Sequence, residues 1–245
     1  MNEKKRFLRS LNTYPEFYHR THQVLKLESQ FIKRRIIELT EVNESIRVLD
    51  LACGTGRLSH LFCSANQLVS LDLNFSMLEF QYDNKFSGEN LIQSNSLKLP
   101  FKDCSFNMII LAMNSIAYFS PAEVIVLFKE VNRVLDRDGL FILDQLNPQY
   151  LITDESFVEL LGSQNNKAYE KIGSKCPDGW RKVTRKYFTS KNDFKEIEEL
   201  LYFHKLENLR DIALIVGFKT CLIWNGFGKS RVHRNSSRWV FEIRA

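Results

Sequence analysis

The sequence predicts an α/β fold in which a mostly parallel sheet is followed by a smaller antiparallel block. From residue 46 to about residue 147, short apolar runs alternate with segments that carry apolar residues at helical spacing. The run over residues 106–113 is almost continuously apolar, which is typical of a strand buried on both faces. After Pro148 this alternation stops, and aromatic-rich segments follow that have the pattern of antiparallel strands.

Size and composition are those of an ordinary globular protein. The chain has 245 residues, of which 44% are hydrophobic and 26% are charged, which suits one α/β domain with a small cap. Its apolar runs are all shorter than a membrane span, and the first six residues do not resemble a secretory signal. The five cysteines form no Cys-x-x-Cys pair, which suits a reducing compartment. We therefore expect a cytoplasmic protein that does not bind membranes.

The first elements predicted from the N-terminus are helices. Residues 14–40 carry aromatic and apolar side chains at helical spacing, which predicts one or two helices. A strand is expected over residues 46–51. A helix is expected after Gly56, because the apolar residues that follow it continue a helical stripe.

Further strands are expected at residues 67–72, 91–93 and 106–113, with a helix between the first two. The helix after the last of these has a clear start, since Ser120 and Glu123 form a capping box and Pro121 suits the first helical position. Gly139 ends the connection that follows, and a strand begins at residues 140–143.

The segment after Pro148 predicts a separate antiparallel unit. Its strands are expected at residues 167–174, 180–189 and 194–204. Asp178 and Gly179 mark a turn between the first two of these strands. The chain is then expected to end with a helix at 206–216 and strands at 218–225 and 237–244.

The run over residues 48–57 carries the strongest functional signal. It is a short apolar strand that ends in Asp50, followed by a turn of small residues over 52–56 and the start of a helix. Small residues let the backbone approach a ligand closely, and a helix N-terminus offers unpaired N–H groups. Asp72 closes the next apolar run, about 20 residues after the turn, where an acid typically binds ribose hydroxyls.

The glycine turn resembles the first motif of the class I S-adenosylmethionine-dependent methyltransferases, with Ala52 where a glycine is commoner. Further segments that resemble this family are residues 71–78, 97–106 and 131–140, Gly217-Phe218 and residues 237–239. The similarity covers about residues 14–245 and is to the small-molecule type. Two positions depart from the family pattern: Asn95 stands where an aspartate commonly contacts adenine, and Asn107 replaces a common aspartate.

This resemblance implies a Rossmann-like sheet of seven strands, mostly parallel with the last strand antiparallel, plus a small antiparallel β cap. It divides the chain into an N-terminal helical lid over residues 1–45, a cofactor-binding core over 46–147, a substrate cap over 148–205, and a C-terminal helix and strands over 206–245 that complete the core sheet. It also implies S-adenosyl-L-methionine as the cofactor, a small-molecule substrate, no metal, and a monomer or homodimer.

By this resemblance the cofactor lies at the carboxyl ends of the strands. Asp72 is expected to accept hydrogen bonds from the ribose, whereas Asp50 anchors the glycine turn or meets the methionine ammonium group. Met77 and Leu97 are expected to sandwich the adenine, and Asn95 to accept from its amino group. The full set expected to bind the cofactor is Tyr18, Arg20, Asp50, Ala52, Cys53, Gly54, Thr55, Gly56, Asp72, Leu73, Met77, Asn95, Ser96, Leu97, Met113 and Asn114.

Methyl transfer from a sulfonium is an in-line displacement, so the protein mainly aligns the reactants and excludes water. A base helps when the acceptor is a hydroxyl or a protonated amine. The candidate bases are Tyr118, His204 and His233, with Tyr18 and His19 as further candidates. Substrate contacts are expected from Asn114, Tyr118, Arg231 and Arg238, with Arg234 in the same tail. Positive charge is concentrated before residue 48 and after residue 146, which is typical of a solvated surface and also fits attraction of an acceptor with an anionic group.

A second class of function stays open, namely a basic RNA-binding protein or an RNA methyltransferase on the same fold. Residues 180–188 interleave aromatic and basic side chains, a pattern that stacks bases in RNA-binding proteins but is equally typical of a half-buried strand. Residues 114–117 read Asn-Ser-Ile-Ala and do not match the Asn-Pro-Pro-Tyr motif of amino-methylating nucleic-acid enzymes. The sequence therefore favours a small-molecule acceptor over nucleic acid.

Overall fold

The structure is a computed structural model that describes residues 15–21, 24–42, 45–62, 67–85, 90–147, 158–160, 168–175, 179–188, 194–228, 230–233 and 235–245. Residues 148–157, where the predicted cap begins, lie outside these ranges. No helix within the described ranges is long and apolar enough to cross a membrane.

The helices and strands occur in the predicted alternation. The α-helices are α1 (Pro15–Thr21), α2 (Lys26–Thr40), α3 (Phe75–Asp83), α4 (Pro121–Val134) and α5 (Leu206–Ile215). Two 3-10 helices occupy Ser59–Phe62 and Ser115–Tyr118. The strands are β1 (Arg47–Leu51), β2 (Gln67–Asp72), β3 (Leu91–Gln93), β4 (Phe106–Leu111), β5 (Leu135–Leu146), β6 (Val158–Leu160), β7 (Ala168–Lys175), β8 (Trp180–Phe188), β9 (Phe194–Tyr202), β10 (Thr220–Asn225) and β11 (Arg238–Arg244).

The main sheet has seven strands in the order β10-β11-β5-β4-β1-β2-β3. The neighbouring strands from β5 to β3 pair in parallel, whereas β11 is antiparallel to both β5 and β10. This arrangement confirms the predicted α/β class and the predicted seven-stranded sheet with an antiparallel last strand.

A second sheet has four antiparallel strands in the order β6-β7-β8-β9. Three of them match the predicted strands of the cap, whereas the short β6 was not expected from the sequence. The sheet packs on the 3-10 helix after β4 through an apolar cluster of Ala117, Val183 and Leu201. We call this second sheet, β6 to β9, the cap sheet. The contact places it beside the carboxyl end of β4.

The core lies on both faces of the main sheet. Along β1, Leu49 packs into one apolar cluster and Val48 into the other, and both side chains are fully buried. The first cluster includes Phe128 of α4 and Leu209 of α5, and the second includes Ile32 of α2. Because both faces are covered by helices, the central strands need the near-continuous apolar sequence that predicted them.

Helix α4 begins as the sequence predicts. The Ser120 side chain accepts a hydrogen bond from the Glu123 N–H at 3.3 Å, and the Glu123 carboxylate accepts from the Ser120 N–H at 2.8 Å. The two residues thus satisfy backbone donors that the first turn of a helix leaves unpaired.

Two predicted elements differ in the structure. After Gly56 the expected helix is only a 3-10 turn over Ser59–Phe62 within the described residues, because the backbone here closes three-residue hydrogen bonds such as that from the Leu61 N–H to the Leu58 carbonyl. Strand β5 starts at Leu135, five positions before the predicted start at residue 140. Leu135 pairs with Phe106, and the next pair is Leu140 with Met108, so the strand contains a bulge between Leu135 and Leu140. The apolar pattern of the sequence does not reveal this bulge.

Candidate functional site

The geometry of the sheet defines one edge as the place for a ligand. The carboxyl ends of β1, β2, β4 and β5 all meet there, because these strands are parallel. The chain passes from β1 to β2 on one side and returns to β4 on the other, so the strand order reverses between β1 and β4. Open α/β sheets bind ligands in the crevice at such a switch point.

The turn after β1 is held in an unusual backbone conformation. Ala52, Gly54 and Gly56 have positive φ angles of 55°, 56° and 73°. Asp72 at the end of β2 supports the turn, because one carboxylate oxygen accepts from the Gly54 N–H at 2.8 Å and the other from the Asn74 N–H at 2.8 Å. A carboxylate has about four acceptor positions, so both oxygens can also accept from a ligand hydroxyl.

The side chain of Gln81 in α3 packs against the glycine turn at Cys53 and Gly56. Its amide nitrogen donates to the hydroxyls of Ser59 and Ser70 at 3.0 and 3.2 Å, and its oxygen lies 3.5 Å from the Cys53 sulfur. A Cβ atom at Gly56 would lie 2.5 Å from the Gln81 side chain. Burial raises the pKa of the Cys53 thiol well above its usual value, in keeping with a packing role. The role of Gln81 was not predicted from the sequence. A polar glutamine in the apolar stripe of α3 could have indicated a buried hydrogen-bonding side chain.

Asp50, the acid of the first motif, is buried near the end of β1, beside this turn. Its Oδ2 atom has no hydrogen-bond partner among the described residues. Burial raises the pKa of Asp50 to about 7, nearby Arg57 opposes this rise, and the negative charge of Asp72 adds to it. A buried carboxylate oxygen without a donor is costly, so this atom indicates a position for a cationic or N–H-bearing ligand group.

Arg57 ties the turn to the N-terminal helix α2. Its two terminal nitrogens donate to the two oxygens of Glu28, both at 2.7 Å, and both side chains are buried. The hydrogen bonds to Glu28 raise the pKa of Arg57 against the opposing effect of burial. This pair was not predicted, and its sequence signal is a glutamate three and four positions before the apolar Phe31 and Ile32, in the buried stripe of α2.

Helix α1 lies over the same turn. The nearest atom to a Cβ built on Gly54 is Cε1 of Tyr18, at 3.6 Å. The Nδ1 atom of His19 lies 3.0 Å from the Thr55 hydroxyl, and its ring lies 5.6 Å from that of Phe80. Burial, together with the charge of Arg57, lowers the pKa of His19. The structure thus brings the predicted Tyr18 to the glycine turn.

Of the residues predicted to contact adenine, Met77 lies in α3 after β2, and Asn95 and Leu97 lie on the loop after β3. Leu73 is exposed at the end of β2, whereas Met77 is buried with only 4% of its surface exposed. On the loop after β3, the exposed Asn95 accepts from the Leu97 N–H at 2.9 Å, and Ser96 is buried. Leu73 therefore presents an open apolar side chain at this edge more directly than Met77.

The turn after β4 contains two consecutive left-handed residues, Met113 and Asn114, each with φ of +61°. The buried carboxylate of Asp144 accepts from their N–H groups at 2.6 and 3.2 Å and pairs with Arg238. The Asn114 side-chain oxygen accepts from the Leu146 N–H at 3.0 Å. Asp144 was not predicted from the sequence. Its ion pair with Arg238 means that this predicted substrate residue already has a charged partner within the protein.

Tyr118 and His204 lie where the cap sheet meets the core. The Tyr118 hydroxyl donates to Oε1 of Glu199 at 2.7 Å. The His204 Nε2 atom lies 3.1 Å from the Phe119 carbonyl oxygen, so this nitrogen carries the proton. The Gln145 side chain accepts from the His204 N–H and donates to its carbonyl. Burial lowers the pKa of His204 to about 4, and its assignment as a base stays a prediction.

Arg231 and His233 lie beside β10, the strand at the outer edge of the main sheet. The Arg231 guanidinium carbon is 4.3 Å from the centre of the Trp224 ring, and His233 Nε2 is 3.1 Å from the Asn225 amide. Three strand spacings, or about 14 Å, separate β10 from β4. The structure therefore does not bring these two residues together with Asn114. Two further predicted positions lie outside the described part of the chain, the Arg20 side chain and Arg234.

Among the described residues, no group of three or more His, Cys, Asp or Glu side chains is arranged to hold a metal ion. The expectation that the reaction needs no metal stays a prediction.

Residues 48–139, which contain the glycine turn, Asp72 and the turn after β4, match the family model described as a methyltransferase domain. Residues 48–139 are a methyltransferase domain. The match confirms the family that the sequence motifs predicted.

Curated relatives of this methyltransferase domain include demethylmenaquinone methyltransferases from Staphylococcus aureus. The protein from strain MRSA252 is 27% identical over 132 residues, which cover 51% of this chain and 54% of that protein. The protein from strain JH9 is 26% identical over the same length. The chain thus spans about half the length of the curated relatives it matches.

Several solved methyltransferase structures are similar to most of this fold. An S-adenosylmethionine-dependent methyltransferase from Clostridium acetobutylicum ATCC 824 has a TM-score of 0.74 at 18% identity, covering 89% of this chain and 91% of that one. The CcbJ methyltransferase from Streptomyces caelestis has a TM-score of 0.73 at 17% identity, covering 87% and 88%. The aminopentose methyltransferase CalS10 from Micromonospora echinaspora, solved with S-adenosylmethionine bound, has a TM-score of 0.68 at 14% identity, covering 89% of each chain. These similarities extend the methyltransferase fold from the matched domain to most of the chain.

Proposed function

We propose that this protein transfers a methyl group from S-adenosylmethionine to a small molecule. The observation that carries the proposal is the buried Asp50 oxygen without a donor, next to a glycine turn that Asp72 holds at the switch point of a methyltransferase domain. An ammonium group is the ligand part that best satisfies such an oxygen.

The residues around the turn fit the parts of this cofactor. Asp50 would hold the ammonium group of the methionine end, and Asp72 would accept from the ribose hydroxyls. Leu73 and Leu97 would pack against the adenine, with Asn95 at its edge. We keep the other predicted cofactor residues in the proposal: Tyr18, Arg20, Ala52, Cys53, Gly54, Thr55, Gly56, Met77, Ser96, Met113 and Asn114.

The cofactor supplies an already activated methyl group, so the protein's contribution is alignment and the exclusion of water. Tyr18 and His19 cover the glycine turn and would shield the methionine end from solvent. The Met113–Asn114 turn, which Asp144 holds rigid, would set the wall along which the acceptor approaches.

The acceptor would bind between the turn after β4 and the cap sheet. Tyr118 and Asn114 are at this boundary, together with the partly buried Phe203. Arg238 remains the candidate for an anionic acceptor group, since a guanidinium has five N–H donors and can serve Asp144 and a ligand together. Arg231 is less suited because it pairs with Trp224 at the outer edge of β10, and His233 because its ring contacts Asn225 at the end of that strand. The named relatives act on small molecules of different chemistry, so the acceptor atom stays open among O, N and C.

An RNA substrate has less support. Lys182, a basic residue of the β8 segment that suggested RNA binding, forms an ion pair with Glu198 of β9. Val183 of the same strand is fully buried against the core. The alternation in β8 is therefore that of a half-buried strand, at least over these residues.

Calorimetry with S-adenosylhomocysteine tests the proposal. We expect the wild type to bind this product and Asp72→Ala to bind it about 1–3 kcal/mol more weakly, because the variant loses charge-assisted hydrogen bonds. Asp138→Ala is the matched control, since Asp138 is 99% exposed at the opposite edge of the sheet. An acceptor would then be sought by incubating metabolite pools with methyl-labelled cofactor. Absence of binding in the wild type would refute the proposed function, and equal affinity in Asp72→Ala would refute the ribose assignment.

A further inference from the structure

An ion pair on α4 holds the loop that is proposed to contact adenine, although it lies outside the cofactor crevice. Arg133 donates to the Leu99 carbonyl at 3.1 Å and to the Phe101 carbonyl at 2.8 Å. It also donates to the Asp103 carboxylate at 2.9 Å. One guanidinium thus binds every second residue of this loop, from Leu99 through Phe101 to Asp103, and the loop contains no helix or strand.

Glu130, one turn earlier on α4, completes this contact. Its Oε2 atom accepts from the Leu99 N–H at 2.7 Å, and its two oxygens accept from Arg133 at 2.9 Å each. The peptide N–H and carbonyl of Leu99 are therefore both held by the same ion pair. We call Glu130 and Arg133 the α4 latch.

The latch is more than a surface ion pair. The side chains of Arg133 and Glu130 are 32% and 20% exposed, and the Leu99 side chain is buried. Their mutual hydrogen bonds raise the pKa of Arg133 and lower that of Glu130. An exposed pair alone contributes little to stability, but these charges also satisfy backbone groups of the loop.

The other end of the loop is fixed at the ribose site. The Ser94 N–H donates to the Asp72 carbonyl at 3.0 Å. Between Ser94 and Leu99, the loop makes a tight turn in which the Asn95 side chain accepts from the Leu97 N–H and the Asn95 carbonyl from the Lys98 N–H. Both ends of this loop are therefore tied, one to Asp72 and the other to the α4 latch, and Asn95 lies between them.

We propose that Glu130 and Arg133 are positioning residues that set the selectivity of the cofactor site for adenine, acting through Asn95 without touching the cofactor. This inference rests on the proposed function. The second lone pair of the Asn95 oxygen accepts from the exocyclic amino group of adenine. Hypoxanthine carries an oxygen at that position and is disfavoured, because two acceptors then face each other.

The test compares S-adenosylhomocysteine with its hypoxanthine counterpart, S-inosylhomocysteine, by calorimetry. The wild type is expected to favour the adenine ligand by about tenfold or more. Arg133→Met reduces this preference to nearly one, and Arg133→Lys gives an intermediate value because a single ammonium cannot reach all three loop groups. Arg210→Met is the matched control, since Arg210 pairs only locally with Asp211 on α5 among the described residues. Asn95→Ala also removes the preference, and adding Arg133→Met to it causes no further change.

A purely structural latch predicts a different result. In that case Arg133→Met lowers the affinity for both ligands by the same factor and leaves the preference for adenine unchanged. That result would overturn the inference while the proposed function stands. A wild type that binds both ligands equally overturns it as well. A wild type that binds neither refutes the proposed function, and the inference falls with it. Should Arg133→Met not fold, Glu130→Gln is judged by the same criterion, because its amide oxygen still accepts from the Leu99 N–H while the ion pair is lost.

Discussion

At the scale of single residues, Asp50 links burial to ligand binding. Its carboxyl has a pKa of about 7, chiefly because it is buried, and its Oδ2 atom lacks a donor among the described residues. If the cofactor ammonium group binds there, binding favours the ionised carboxylate and lowers its pKa. Protons are then released on binding at pH values between the lowered pKa and about 7.

We therefore predict that S-adenosylhomocysteine binds more tightly as pH rises from about 5 to 7, and that the affinity levels off above that range. Calorimetry in two buffers of different ionisation enthalpy measures the proton release directly. Asp50→Asn, which cannot ionise, should bind more weakly and show a flatter pH profile. A wild-type affinity that is constant from pH 5 to 8 would rule out the contact between Asp50 and the ammonium group.

Gly56 offers a second residue-scale prediction. Gly56 and Gly226 both have positive φ, but a Cβ at Gly56 meets the Gln81 side chain at 2.5 Å whereas a Cβ at Gly226 has no atom within 4 Å. Gly226→Ala should thus cost about 1 kcal/mol of unfolding free energy, from backbone strain alone. Gly56→Ala should cost a further 1–3 kcal/mol or so, because it also disrupts the Gln81 contacts. Urea denaturation of both variants measures the difference, and equal losses would show that Gln81 moves aside freely.

At the scale of elements, His204 joins three parts of the fold. It follows β9, its backbone pairs with Gln145 of β5, and its ring donates to Phe119 after the second 3-10 helix. Because burial lowers its pKa to about 4, the folded protein resists the protonation that the unfolded chain undergoes near pH 6.5. The stability from this group is complete above about pH 6.5 and is lost as pH falls toward 4.

We predict that His204→Gln removes this part of the pH dependence. The glutamine amide can still donate to the Phe119 carbonyl, so the variant should fold and lose less stability than the wild type between pH 6.5 and 4. Asp50 has the opposite sign, since its raised pKa makes the fold more stable as pH falls, so the difference between variant and wild type is the quantity to measure. His60→Gln, at an exposed position, is the control. Identical slopes in wild type and His204→Gln would contradict the prediction.

Elements were predicted best where periodicity and capping agree. Helix α4 has both, and its start at Pro121 was predicted to the residue. The start of β5 was not, because residues 136–138 are polar and a bulge follows no apolar period. The site shows the same division. Asp72 and the glycine turn have a local signature. In contrast, the contacts of Gln81, Glu28 and Asp144 include residues 28, 29 and 30 positions away, namely Cys53, Arg57 and Asn114 in that order.

At the scale of the whole molecule, the described residues show how the cap sheet is joined to the core. These contacts include the apolar cluster around Ala117 and Val183 and the hydrogen bond from Tyr118 to Glu199. Glu199 is buried, so losing the Tyr118 donor should destabilise the docked cap by about 1–3 kcal/mol.

We predict that Tyr118→Phe increases amide hydrogen exchange in β8 and β9 by about tenfold or more, while exchange in β1 and β4 stays at the wild-type rate. Tyr82→Phe, on the exposed surface of α3, controls for the loss of a hydroxyl. Uniform changes in both sheets would mean that the cap and the core unfold as one unit.

The pairing of Asp144 with Arg238 has a consequence for changing the acceptor by protein engineering. Replacing Arg238 alone, in order to admit a cationic acceptor, leaves a buried carboxylate without its counter-charge, a change that typically costs several kcal/mol. Replacing Asp144 alone releases the two left-handed residues after β4 from the oxygens that hold their N–H groups. A library that samples the two positions one at a time will therefore contain mostly damaged proteins. Altered acceptor charge is accessible only to variants in which residues 144 and 238 change in the same step and the new residue 144 still accepts from these two N–H groups.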